Sequence, residues 1–163
     1  MDSDTIFALS SGSGKAGIAV FRISGSRAFT TLETISGLSK PVSRQFYKVT
    51  IRNDETNDVL DKGLAVCFNG PKSYTGEDIV ELHVHGGPSI IEEITNLLST
   101  HTGLRLAEPG EFTRRAFEND KFDLTVAEGV ADLINSETIA QRKQAQRLIS
   151  GELRTIYDGW REK

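Results

Sequence analysis

The stretch DIVELHVHGGPSIIEEITNLLSTH, residues 78–101, changes its periodicity midway, and that change decides the fold class. Up to Val84 the pattern repeats every two residues. As a strand, it places Val80, Leu82 and Val84 on one face and Ile79, Glu81, His83 and His85 on the other. From Pro88 the pattern becomes helical: Ile90, Ile91, Ile94, Leu97 and Leu98 make one stripe, and proline suits a first helical turn. A strand feeding a helix speaks against an all-helical chain.

Working outward, TIFAL, GIAVFRI, FYKVTIR, GLAVCF and LRLA read as further strands. SRAFTTLETISG reads as a helix, with Phe29, Leu32 and Ile35 at helical spacing, Ser26 as its cap and Gly37 as its stop. RNDETND, residues 52–58, reads as a polar hairpin loop and the most expendable segment. This alternation, without repeats, favours an α+β or α/β fold. After about Glu108 the pattern turns helical: EFTRRAFEND, then FDLTVAEGVADLIN, then a long helix starting near the capping residue Ser136. In that last helix Ala145, Leu148, Ile149, Leu153, Ile156, Tyr157 and Trp160 form a stripe that needs a partner, and Gly151 interrupts it at about 1 kcal/mol relative to Ala. The expectation is the front portion of a longer protein, cut inside its helical part.

The 163 residues, 37% hydrophobic and 26% charged, suit one globular domain with an appendage. There is no apolar run of membrane-spanning length, and the start MDSDTIF carries acid where a leader carries base, so the expected setting is soluble and cytoplasmic. Cys67, the lone cysteine, excludes an internal disulfide and a multi-thiolate zinc site; within LAVCF it reads as buried and inert. Nineteen basic against twenty-three acidic residues give a net charge of −4, poor for gripping phosphate backbones, although Arg114, Arg115, Arg142 and Lys143 form a modest basic set.

SSGSGKAG, residues 10–17, looks like a phosphate-binding loop but lacks its parts. Leu9 stands where the first glycine belongs and Ala16 where the metal-binding hydroxyl belongs, and the run that follows, AGIAVFRIS, reads as a strand. It is read as a flexible turn.

Three places carry charge that calls for an account. Glu81, between Val80 and Leu82, should be partly buried and needs a partner. Arg22 ends GIAVFRI on the face of Ile18 and Val20 and needs an acceptor. On spacing alone an Arg22–Glu81 salt bridge outranks a ligand site. A metal held by His83, His85 and Glu81, as in a metal-dependent hydrolase, is the weaker alternative, with His85 bonding to a turn as the plain reading. Third, RLAEPGEFTRRAFENDKFDLTVAEGVADLI, residues 105–134, has a turn at Pro109-Gly110, Glu111 in a first helical turn, and Lys121 at a helix junction; helix capping and solvated charge account for these.

Taken together, DTIFALSSGSGKAGIAVFRISG, SYTGEDIVELHVHGG and PGEFTRRAFENDKFDLTVAEGVADLI resemble, in order and spacing, the N-terminal part of the MnmE/TrmE family of tRNA-modification GTPases. The resemblance implies an α+β fold, a mixed β-sheet flanked by helices like the folate-binding domain of the glycine-cleavage T-protein group. It implies a folate-binding and dimerisation domain at 1–121 and the start of a helical domain at 122–163. It also implies binding of 5-formyltetrahydrofolate or a related reduced folate, a homodimer, and joint work with an MnmG-type flavoprotein on carbon five of the tRNA wobble uridine. Carried over by motif, the folate contacts fall on Arg22 in VFRISG, Glu81 in IVELH and Lys121 in ENDKFDL. A pterin's adjacent N–H donors suit one carboxylate, and carboxylates of the glutamate tail suit Arg or Lys. GTP, magnesium and potassium belong to a GTPase domain not found in this sequence, so the chain itself is not expected to hydrolyse GTP. Phe122, Val126 and Gly129 stand where family members more often carry Leu, Gln and Ala. A purely structural dimerisation module is the alternative reading.

Overall fold

The computed structural model describes residues 4–12 and 14–150. It has the expected α+β build. Six strands, β1 (Thr5–Leu9), β2 (Ala16–Ser24), β3 (Phe46–Arg52), β4 (Val59–Phe68), β5 (Ile79–Gly86) and β6 (Leu104–Leu106), form one sheet in the order β3-β4-β5-β2-β1-β6. The β1–β6 pair is parallel and the other pairs are antiparallel, which makes the sheet mixed. The loop between β3 and β4 falls where the polar run RNDETND placed it, and β4 begins earlier than GLAVCF predicts, at Val59. The run after the glycine-rich loop is β2, as its β-branched content requires.

Helices α1 (Ala28–Ser36) and α2 (Pro88–Thr100) cover one face of the sheet. There Leu32 and Ile35 of α1 and Ile94 and Leu98 of α2 meet Phe21, Ile23, Val80 and Leu82, all buried. Each such side chain contributes about 1.5–3 kcal/mol on burial. Cys67 lies in this core, where burial first and the Asp78 carboxylate second push its thiol up to about 11. It is inert, as expected.

Helix ends follow the sequence only in part. Gly37 stops α1 in the left-handed region (φ 72°), its N–H donating to the Glu33 carbonyl, and Pro88 opens α2. Ser26 does not cap α1: the N-cap position is Arg27, whose N–H donates to Thr5 Oγ1 at 3.0 Å, so a residue of β1 takes the task from afar.

The chain divides into two compact units, Met1–Phe112 and Thr113–Lys163. Helix α3 (Glu111–Glu118) begins at the end of the first. In the second, Asp123 caps α4 (Leu124–Ile134) by accepting from the Val126 N–H, and α5 (Ile139–Ile149) starts with a capping box between Thr138 and Gln141 rather than at Ser136. Ser136 instead donates to the Leu133 carbonyl at the end of α4. Gly129 of α4 is buried against α5, and a Cβ there would stand 2.9 Å from Leu148 Cβ, so the position has no room for a side chain. The stripe from Leu153 to Trp160 and the break at Gly151 lie outside the described residues. No helix among the described residues is long and apolar enough to cross a membrane.

Candidate functional site

Arg22 and Glu81 face each other in register across the β2–β5 ladder, on the sheet face opposite α1 and α2. They form the salt bridge that spacing favoured. Both Arg22 donors go to one oxygen: Nε at 2.9 Å and Nη2 at 2.6 Å from Glu81 Oε1. Among the described residues Glu81 Oε2 accepts no hydrogen bond, and His83 Nε2 stands 3.9 Å from it. The side chains are 25% (Arg22) and 17% (Glu81) exposed, so the pair is partly desolvated yet reachable.

Two aromatic rings hold the guanidinium. Tyr74, from the loop before β5, and Phe112, in the first turn of α3, lie 5.2 Å and 5.5 Å from Arg22 Cζ. The Tyr74 loop is fixed by a buried network: Ser24 Oγ lies 2.7 Å from both Thr75 Oγ1 and Glu77 Oε2. Phe112 is fixed through its neighbour Glu111, buried to 1% exposure and gripped by both Arg105 terminal nitrogens at 2.6 Å and 2.9 Å. The Glu108 N–H donates to the same carboxylate at 2.8 Å. Hydrogen bonding to Glu111 raises the Arg105 pKa beyond its ordinary value, against the opposing effect of desolvation. Glu111 does reach back to a helix-start N–H, but solvated charge does not describe it. It is a buried anchor, and its partner Arg105 lies in the short strand β6, which sequence spacing did not connect to it.

His85 does not bond to a turn. Its backbone N–H and its Nδ1 each lie 2.8 Å from the Asp61 carboxylate on β4. Burial would raise the Asp61 pKa, but the hydrogen bonds from His85 and the Lys62 N–H outweigh it and hold the carboxyl below its ordinary value. With His85 turned to Asp61, the set His83, His85 and Glu81 does not converge, and among the described residues no group of three His, Cys, Asp or Glu side chains is placed to hold a metal ion. The metal-dependent hydrolase reading loses its ligands.

Lys121 follows α3 in the second unit, exposed, its backbone N–H donating to the Ala116 carbonyl. Of the three residues singled out by motif, the structure joins Arg22 and Glu81 directly. A cavity of about 570 Å³ lies elsewhere, between the β3–β4 hairpin and α2, lined by Asp54, Glu55, Asp58 and Glu93 among others. Its carboxylates disfavour an anionic ligand.

Around the ion pair the sheet face is apolar and open. Val66 is the register partner of Glu81, Leu64 and Val20 flank His83, and Phe46 packs edge-on against the His83 ring at 5.4 Å. Gly63 of β4 lets that strand pass close to β5, since a Cβ would come within 2.2 Å of the His83 carbonyl. Ile18, Phe46 and Leu64 are exposed.

Residues 5–121 match the family described as "GTP-binding protein TrmE N-terminus". Among similar proteins, "tRNA modification GTPase MnmE" of Rickettsia bellii is 51% identical over 160 residues, 98% of this chain and 36% of that protein. The protein of the same name from Rickettsia conorii is 52% identical over the same shares, and that of Orientia tsutsugamushi is 52% identical over 161 residues, 99% of this chain and 36% of its own length. The chain thus spans about 36% of the length of these relatives.

Proposed function

The chain belongs to the TrmE N-terminal family, and on that footing we propose that it is the reduced-folate-binding and dimerising part of a cytoplasmic tRNA-modification GTPase. The observation that carries the ligand half is the unsaturated carboxylate. Glu81 gives both Arg22 donors one oxygen and keeps Oε2 unbonded at the edge of an apolar, accessible sheet face. A half-buried acceptor without a donor is a place for a ligand's N–H. In this reading Glu81 takes N–H donors of a pterin. Arg22, clamped by Tyr74 and Phe112, offers its remaining edge to a carbonyl or carboxylate of 5-formyltetrahydrofolate. Lys121 takes a second such group, and residues 1–121 form the working domain with 122–163 opening a helical one.

The exposed apolar side chains Ile18, Phe46 and Leu64 support a second copy of the chain as the partner for this face. GTP hydrolysis with magnesium and potassium, the MnmG-type flavoprotein and the tRNA wobble uridine belong to the whole protein.

Isothermal titration with 5-formyltetrahydrofolate tests the ligand half. Binding in the wild type that weakens about tenfold or more in Glu81→Gln, with circular dichroism unchanged, supports it; equal binding by both removes Glu81 from the site. The closed Arg22–Glu81 pair favours a second reading, a structural dimerisation module in which the two charges serve only each other. That reading expects a dimer in light scattering and no folate heat at all.

A further inference from the structure

Among the described residues, His83 Nε2 is buried without a hydrogen-bond partner. Such atoms are uncommon in folded proteins and call for a reason. Its neighbours define one. Glu81 Oε2, two residues along the same strand face, is 3.9 Å away, too far for a hydrogen bond between them and close enough for one small set of donors to reach both. The remaining neighbours are apolar: Leu64 and Val20 in the adjoining register positions and the Phe46 ring edge-on. Phe46 is 60% exposed on the strand at the edge of the sheet, so little packing holds it over the imidazole. His101 Nε2 is also buried and unpartnered, but the carboxylate it faces, Asp54, lies in the polar β3–β4 loop.

We propose that His83 Nε2 and Glu81 Oε2 act as one split acceptor pair that reads the adjacent N–H donors of a flat heterocycle, with Phe46 swinging aside to admit it. The assignment rests on the folate reading above and changes its chemistry. A lone carboxylate would accept two parallel N–H groups on its two oxygens, but Arg22 occupies Oε1 through two bonds. With the imidazole proton on Nδ1, Nε2 supplies the acceptor that Oε1 no longer offers. His83 is then a specificity-determining contact for the pteridine edge, and Val20, Val66 and Leu64 border it on this face.

The test titrates the full chain, as wild type, His83→Leu, His83→Gln and Phe46→Ala, with 5-formyltetrahydrofolate and with 6-methyltetrahydropterin, which lacks the glutamate tail. Circular dichroism and thermal melting establish that each variant is folded. The expected result is affinity about tenfold lower in His83→Leu for both compounds, since one hydrogen bond of about 1.4 kcal/mol is a factor of ten. His83→Gln, which keeps an acceptor, should recover most of it, and Phe46→Ala should bind no more weakly than the wild type. Folate bound equally by wild type and folded His83→Leu overturns the inference and leaves the folate reading standing. Loss confined to the compound with the tail also overturns it, because His83 would then not contact the pteridine. No binding of either compound by the wild type overturns both.

Discussion

Two carboxylates of this chain each meet an arginine at 2.6 Å, and they are not alike. Glu111, 1% exposed, spreads its donors over both oxygens: Arg105 Nη2 on Oε1, and Arg105 Nη1 with the Glu108 N–H on Oε2. Glu81, 17% exposed, receives both of its donors on Oε1 and leaves Oε2 unbonded. A saturated buried carboxylate has nothing left to give a ligand and acts as an anchor. An unsaturated one at an accessible face is incomplete on its own.

The largest expected effect separates the two by stability. Glu111→Ala should lower the free energy of unfolding by about 2–3 kcal/mol in urea titration. That is less than the loss from a fully buried pair, because Arg105 can rehydrate. Second, Glu81→Gln should lower stability by less than about 1 kcal/mol. It should weaken 5-formyltetrahydrofolate by roughly ten- to hundredfold, the range of a hydrogen bond to a charged group. Equal destabilisation by the two substitutions would erase the distinction. Third, Tyr74→Leu removes one ring from the Arg22 clamp and should lower the melting stability by about 0.5–1 kcal/mol; no change would mean that Phe112 alone holds the guanidinium.

The smallest effect concerns a third carboxylate, Asp61, which sharpens the comparison from a different side. Its folded pKa lies below the ordinary 3.8, so its contribution is present above that value and is lost as the pH falls through the lowered one. Urea titrations carried from neutral into acid should show this loss, and Asp61→Asn should flatten that acid limb by a few tenths of a kcal/mol, the scale of a pair whose one partner, His85, is largely exposed. An unchanged acid limb would show that the bond to His85 positions the strand end without stabilising it.

Much of this was legible in the chain. The switch from period two to helical spacing across residues 78–101 located β5 and α2, and the alternation within each strand put Arg22 with Ile18 and Val20 and Glu81 with Ile79 and His83; which face is the outer one came from the structure. The pairing itself was readable as the plainest option. Other features were not, because each depends on a residue distant in sequence. Thr5, not Ser26, serves the start of α1. Asp61 captures His85 from the neighbouring strand, which undoes the metal set that the H-x-H spacing offered. Arg105, in a strand of only three residues, anchors Glu111 and through it Phe112.

The sequence by itself determined which segments become strands and helices and which side chains share a face, because periodicity is a local property of a polar backbone seeking one apolar face. Only the tertiary structure decided which oxygen of Glu81 is used and that His83 keeps an unpartnered nitrogen beside it. Those facts follow from the register of β2 against β5 and of β5 against β4. Register is a relation between segments separated along the chain, and hydrogen-bond saturation is counted only after that relation is made.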